Sequence, residues 1–174
     1  MTVSNIFLVG MMGAGKTTIG RELAKRLGRR FVDCDHEVEA RTGVKIPVIF
    51  EIEGEEGFRR RETQALEELS REPGLVVATG GGIVLADENR AILREQGTVI
   101  YLDVAPDVLY ERTRHDRNRP LLQVDNPRRR IHDLYAAREP LYREVASLIV
   151  PGRRGSPAAM AKTIERELEK LCER

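Results

Sequence analysis

A glycine-rich run, Gly10-Met11-Met12-Gly13-Ala14-Gly15-Lys16-Thr17, carries the clearest chemistry in the 174-residue sequence. It fits the spacing G-x-x-x-x-G-K-[ST], and that spacing serves a purpose. Glycines at 10, 13 and 15 let the backbone curl so that several N–H groups face phosphate oxygens. The helix that follows adds the favourable charge of its N-terminal dipole. Lys16 is then placed to reach the β- and γ-phosphates of a nucleoside triphosphate, and Thr17 to offer its hydroxyl to a magnesium ion. An incidental lysine in a plain turn would not need the apolar strand that precedes this run or the amphipathic helix that follows it.

Asp33-Cys34-Asp35 ends a second apolar run. If the extended chain continues, a period of two puts both carboxylates on one side, suited to a magnesium contact and to a partner for an acceptor hydroxyl. The alternative is that Asp35 caps a helix beginning near His36. Thr79-Gly80-Gly81-Gly82 follows a third apolar run, where many phosphate-loop enzymes carry a metal-binding aspartate. Three glycines weaken regular structure and make sense where a substrate approaches the backbone closely. Arg59 and Glu62, three apart on one helical face, can pair and hold a guanidinium for an anion. Arg119-Pro120 lies in a polar segment from which a lid would deliver positive charge to a transferring phosphoryl group. Arg60 and Arg61 read as solvent-facing, and spacing alone makes Arg138 a surface residue.

The elements that hold these residues follow from patterning. Asn5–Gly10, Arg30–Asp33, Leu75–Thr79, Thr98–Asp103 and Ser147–Val150 are short apolar runs without polar alternation, the mark of strands covered on both faces. Between them, Ile19, Leu23, Ala24 and Leu27 form a helical stripe that Gly28 stops. Phe58–Ser70, Asp87–Glu95, Pro106–Arg114, Pro127–Arg138 and Pro157–Leu171 read as further helices, three with proline at the start. Alternating strands and helices predict an α/β fold with a parallel sheet and right-handed crossovers. Thr42–Gly57 and Arg114–Asn126 fit this rhythm poorly, and such segments usually lie over the carboxyl ends of the strands.

Length predicts a single domain, and 41% hydrophobic with 33% charged residues excludes disorder. A net charge of +1 and few aromatics argue against nucleic-acid binding. No run is long enough for a membrane span, and two distant cysteines suit a reduced compartment, so a cytoplasmic protein is expected. Of 29 basic residues only five are lysines. The arginine forks suit carboxylates and phosphates, although position must decide which of them do so. No N-K-x-D run for guanine is present and the chain is short for a motor ATPase, which leaves a small-molecule kinase.

Together these residues resemble the shikimate kinases over essentially the whole chain. The resemblance rests on G-M-M-G-A-G-K-T-T at 10–18, D-C-D at 33–35, E-G-E-E-G-F-R at 53–59, T-G-G-G at 79–82, N-R-P-L-L at 118–122 and R-E-P-L-Y at 138–142. It implies a three-layer phosphate-loop fold of the nucleoside monophosphate kinase type, with a five-stranded parallel sheet flanked by helices. It also implies a substrate-binding region near 34–60, a lid near 113–124, and a monomer that phosphorylates the 3-hydroxyl of shikimate with MgATP. By matching position, Gly13, Ala14, Gly15, Lys16, Thr17 and Thr18 would hold the nucleotide phosphates. Arg112, with Arg153 nearby, would hold adenine, and Arg119 would bridge phosphate and substrate. Asp35 would be the base and hold hydroxyls, together with Gly80, Gly81 and Gly82. Arg59 and Arg138 would clamp the carboxylate, which overrides the surface reading of Arg138, and Thr17 and Asp33 would hold magnesium. A gluconate kinase would share the phosphate loop but not the D-C-D, F-R and R-P-L-L set. A non-catalytic nucleotide-binding module would be expected to have lost Lys16, Asp35 or the lid arginine. Lys45-Ile46-Pro47-Val48 and the basic 114–117 stretch depart from the usual pattern.

Overall fold

A computed structural model describes residues 4–152 and 155–174. Its centre is strand β1, Asn5–Val9, in which every residue is buried. β1 pairs in parallel with β3, Val76–Ala78, on one side and with β4, Gly97–Asp103, on the other. β2, Phe31–Asp33, and β5, Leu148–Pro151, complete a five-stranded sheet in the order β2-β3-β1-β4-β5. The chain leaves β1 for opposite sides of the sheet, so the glycine-rich run after it opens at the point where strand order reverses, the place where open α/β sheets bind ligands. All five strands were legible as apolar runs.

Helices cover both faces. α1, Lys16–Leu27, buries Ile19, Leu23 and Ala24 and ends at Gly28, whose φ of 64° takes the left-handed cap. It packs on α7, Pro157–Cys172. α4, Asp87–Gln96, and α5, Pro106–Thr113, also begin within a residue of their predicted starts or at them. Three elements differ from expectation. α2, Cys34–Thr42, starts directly after β2, so the chain does not stay extended through Asp35. α3, Ile46–Ser70, occupies most of the segment that read as irregular. Pro47 sits in its first turn, where proline is tolerated, and only Gly54, at φ 72° and ψ 179°, leaves the helical path. α6, Pro127–Val145, runs straight through Pro140 rather than stopping at Arg138. Burial of Ile131, Arg138, Tyr142 and Val145 along one face holds it through the missing hydrogen bond.

The main core lies between the sheet and its helices. Val38, Ile49, Phe58 and Ala65 form a separate apolar cluster that joins α2 to α3. That cluster fixes the first residues after β2 against the helix carrying Arg59.

Candidate active site

A cleft of about 1190 Å³ opens over the carboxyl ends of the strands. Gly13, Ala14, Gly15, Lys16, Thr17, Thr18, Asp33, Asp35, Gly80, Gly81, Arg112 and Arg119 all line it, so the structure gathers in one place residues that the sequence scatters over more than a hundred positions. The loop that begins it is tightly built. Gly10 has φ 148°, and a Cβ there would stand 2.8 Å from the Leu102 carbonyl of β4. Lys16 donates through Nζ to the Gly10 and Met11 carbonyls, the latter at 3.0 Å, and so lies folded over its own loop. Burial pushes the Lys16 ammonium down to about 8, against the attraction of the Asp35 and Asp33 carboxylates.

Thr17 donates to Asp33 Oδ2 at 2.6 Å. The other carboxylate oxygen, Oδ1, caps α2 by accepting from the backbone N–H groups of Asp35 and His36 at 2.9 and 3.2 Å. The cap is therefore Asp33 and not Asp35, a correction with a clear cause: the helix begins two residues earlier than the sequence suggested. His36 is exposed. Asp35 is thereby free for other work. Its Oδ1 is buried without a hydrogen-bond partner. Burial and the neighbouring Asp33 raise its pKa, with Lys16, Arg119 and Arg59 opposing.

The triglycine is a packing device with ordinary backbone angles. A Cβ on Gly80 would lie 2.6 Å from Glu62 Oε1 and 3.0 Å from Asp35 Oδ1. One on Gly81 would lie 3.3 Å from Arg138 Nη1, and one on Gly82 would collide with the Arg59 guanidinium. Four charged side chains thus converge on three residues that have no side chains of their own. Arg59 and Arg138 pack against this segment, and the cleft lining is supplied by Gly80 and Gly81. Arg59 pairs with Glu62 at 3.1 Å and Glu55 at 3.1 Å, as the spacing predicted for Glu62. Its pKa is raised, because these carboxylates outweigh the effect of burial. Glu62 is only 1% exposed, and burial pushes its carboxyl up to about 7 against the pull of Arg59.

Arg138 is 3% exposed, which corrects the surface reading from spacing. It makes no ion pair among the described residues, and burial lowers its pKa. Spacing failed there because the helix was expected to end at Arg138, whereas α6 continues through Pro140 and buries Arg138 on its inner face. Arg119, expected to act from a lid, donates to Asp116 at 2.9 Å. Asp116 was not singled out in the sequence, although its i,i+3 spacing was a usable signal. Arg112 donates to the Gly13 carbonyl at 3.0 Å, close against the phosphate loop. Arg153, expected near adenine, lies outside the described residues. Of the departure at Lys45-Ile46-Pro47-Val48, the first three residues line the cleft wall.

A half-buried lysine over a glycine loop, an aspartate with an unpartnered buried oxygen and two guanidiniums on a triglycine can bind a triphosphate beside an acidic polyol. Known proteins agree with that chemistry. The shikimate kinase family model matches residues 12–169. A shikimate kinase of Aromatoleum aromaticum is 64% identical over 97% of this chain and 98% of its own length. One of Ralstonia nicotianae is 59% identical over 97% of this chain and 89% of its own. Among solved structures, shikimate kinase from Acinetobacter baumannii in complex with shikimate superposes with a TM-score of 0.96 at 49% identity, covering 98% of this chain and 95% of that one. A Bacillus subtilis YorR protein in complex with phosphorylated GDP, at TM-score 0.59 and 19% identity, shares the fold alone. The chain belongs to the shikimate kinase family.

Proposed function

We propose that the chain transfers the γ-phosphoryl group of ATP to the 3-hydroxyl of shikimate, in aromatic amino-acid biosynthesis, through the residues gathered in the cleft. The observation that carries the reading is Arg138, a buried guanidinium with no ion pair among the described residues, set against the same triglycine as Asp35. An uncompensated buried charge is costly, and a substrate carboxylate clamped between Arg59 and Arg138 removes that cost on binding. The A. baumannii relative, solved in complex with shikimate, supports an acceptor of this kind.

In this reading the acceptor oxygen attacks the γ-phosphorus, its new O–P bond forms as the bond to the bridging oxygen of ADP breaks, and the hydroxyl proton passes to Asp35. Asp35 suits the task because its Oδ1 has no other partner and its raised pKa favours taking the proton. Lys16 and Arg119 neutralise charge that builds on the phosphoryl oxygens. Phosphoryl transfer otherwise asks mainly for positioning. Backbone N–H groups of Gly13 to Thr18 hold the phosphates, Arg112 and Arg153 flank adenine, and Gly80 to Gly82 meet the shikimate hydroxyls. Thr17 and Asp33 fit magnesium by their hard oxygen donors and their mutual contact. No group of three or more His, Cys, Asp or Glu suited to a metal exists among the described residues, which suits an ion that arrives with the nucleotide. Bound there, magnesium would neutralise β- and γ-phosphate charge.

We further propose that residues 34–60 form the acceptor-side region, that 113–124 close as a lid, and that the chain acts as a monomer. None of its described helices is long and apolar enough to cross a membrane. The test is ADP release with MgATP and shikimate, gluconate or no acceptor, with Asp35→Asn alongside. Shikimate-dependent release that collapses by about 10²-fold or more in the variant is expected. Release driven only by gluconate would show that the clamp has been misread.

A further inference from the structure

Tyr142 lies one helical turn after Arg138 on α6, fully buried, and no step above uses it. Its hydroxyl donates to the Gly81 carbonyl at 2.5 Å, across sixty-one positions of sequence. Arg138 packs against the same residue, its Nη1 3.3 Å from where a Gly81 Cβ would stand, and the nearby phenol opposes the lowering of the Arg138 pKa by burial. Arg59 and Glu62 also bear on the phenol. The phenol therefore holds the loop residue against which the arginine packs, and both belong to the acceptor half of the proposed site.

The ring is itself held. Tyr101 of β4 stacks on it with centroids 5.0 Å apart and planes 28° apart. The Tyr101 hydroxyl donates to Asp103 Oδ1 at 3.1 Å, which also takes the Tyr135 hydroxyl at 2.8 Å, while Arg143 donates to Oδ2 at 3.2 Å. This connects the sheet rigidly to the triglycine through two aromatic rings. Gly81 also lies near the phosphate loop, where a Cβ on it would stand 3.4 Å from the Met12 N. The Tyr142 hydroxyl, however, donates to Gly81 alone among the described residues, while Lys16 and Thr17 make their contacts with their own loop and with Asp33.

We propose that Tyr142 is a positioning residue that fixes Arg138 and the Gly81 carbonyl relative to each other, so that its hydroxyl sets affinity for the acidic acceptor without affecting the nucleotide. This rests on the reading of Arg138 as a carboxylate clamp. Tyr142→Phe keeps the ring stack and removes only the hydroxyl. It is expected to raise the shikimate KM about tenfold and to leave the ATP KM within about twofold, with kcat falling less than the shikimate KM rises. Tyr135→Phe loses a hydroxyl bonded to Asp103 and should change neither KM. KM does not depend on the fraction of enzyme that is folded, so a modest loss of stability does not obscure the result. Arg138→Ala, alone and with Tyr142→Phe, completes a cycle in which the tyrosine change should cost much less once the guanidinium is gone. A Tyr142→Phe enzyme with unchanged shikimate KM, or with both KM values raised alike, overturns the inference. If Arg138→Ala itself spares the shikimate KM, the clamp reading falls first and takes this proposal with it. A strong Arg138→Ala effect beside a silent Tyr142→Phe sinks the tyrosine alone.

Discussion

At the scale of single residues, the site is a balance between burial and charge that can be titrated. Burial brings Lys16 down to about 8, so in the free enzyme it begins to lose its proton within the working range. The uncharged amine cannot hold phosphate oxygens. The kcat/KM for ATP should therefore fall as pH rises through about 8, since that ratio reports the free enzyme, while kcat should hold to higher pH because bound phosphates retain the proton. A pH profile in which both parameters fall together above 10 would contradict this. Gly82 makes a second test. A Cβ there would collide with the Arg59 guanidinium, so Gly82→Ala should displace that arginine and raise the shikimate KM about tenfold or more, sparing ATP. Equal KM values in variant and parent would mean that Arg59 does not bind the acceptor. At this scale the sequence was informative where function rests on local spacing, as at Lys16 and the Arg59–Glu62 pair. It was silent where function rests on contacts between distant segments. Nothing local marks Arg138 as buried or Tyr142 as the partner of Gly81, because both depend on how α6 packs against the end of β3.

At the scale of elements, the strands and most helix starts were legible because their signals are local: unbroken apolar runs, a glycine stop after α1 and prolines opening α5, α6 and α7. The misreadings share a cause. Gly54 and Pro47 lie within the stretch read as irregular and Pro140 just beyond the expected helix end, yet tertiary packing carries the helices on around them. The same lesson applies to Asp33. Read as an extended residue, it is also the cap of α2 and the acceptor for Thr17, so one carboxylate serves a helix end and the phosphate loop together. Asp33→Ala should remove both functions. About 1 kcal/mol of stability should go with the cap, measured by denaturant midpoint, and the magnesium concentration needed for half-maximal rate should rise. Asp33→Asn keeps an oxygen for the cap and is expected to restore much of the stability but not the metal dependence. Parallel recovery of both would show that the carboxylate acts only through α2.

At the scale of the whole molecule, the acceptor half is an electrostatic unit whose members lie on α2, α3, α6 and the triglycine, and Glu62 sits at its centre. Asp35, Arg59 and Arg138 all bear on this carboxyl, which burial pushes up to about 7 from its ordinary value of 4.5. Between those values the folded chain holds a proton that the unfolded chain has released, so ν_U − ν_N is negative and stability falls as pH rises. The contribution of the neutral carboxyl is fully present below 4.5 and lost as pH climbs through about 7. A Glu62→Gln variant is neutral throughout and lacks this slope. The stability of the parent relative to the variant should therefore decline between pH 4.5 and 8, by an amount on the order of 3 kcal/mol. The comparison isolates Glu62 from exposed carboxylates, whose titration is common to both proteins. Urea midpoints at half-unit pH steps would measure it. A constant difference would mean that Arg59 holds Glu62 ionised throughout. A decline means that this cluster is built around a carboxyl poised near neutrality, whose charge an acceptor carboxylate would compete with if, as proposed, it sits between Arg59 and Arg138.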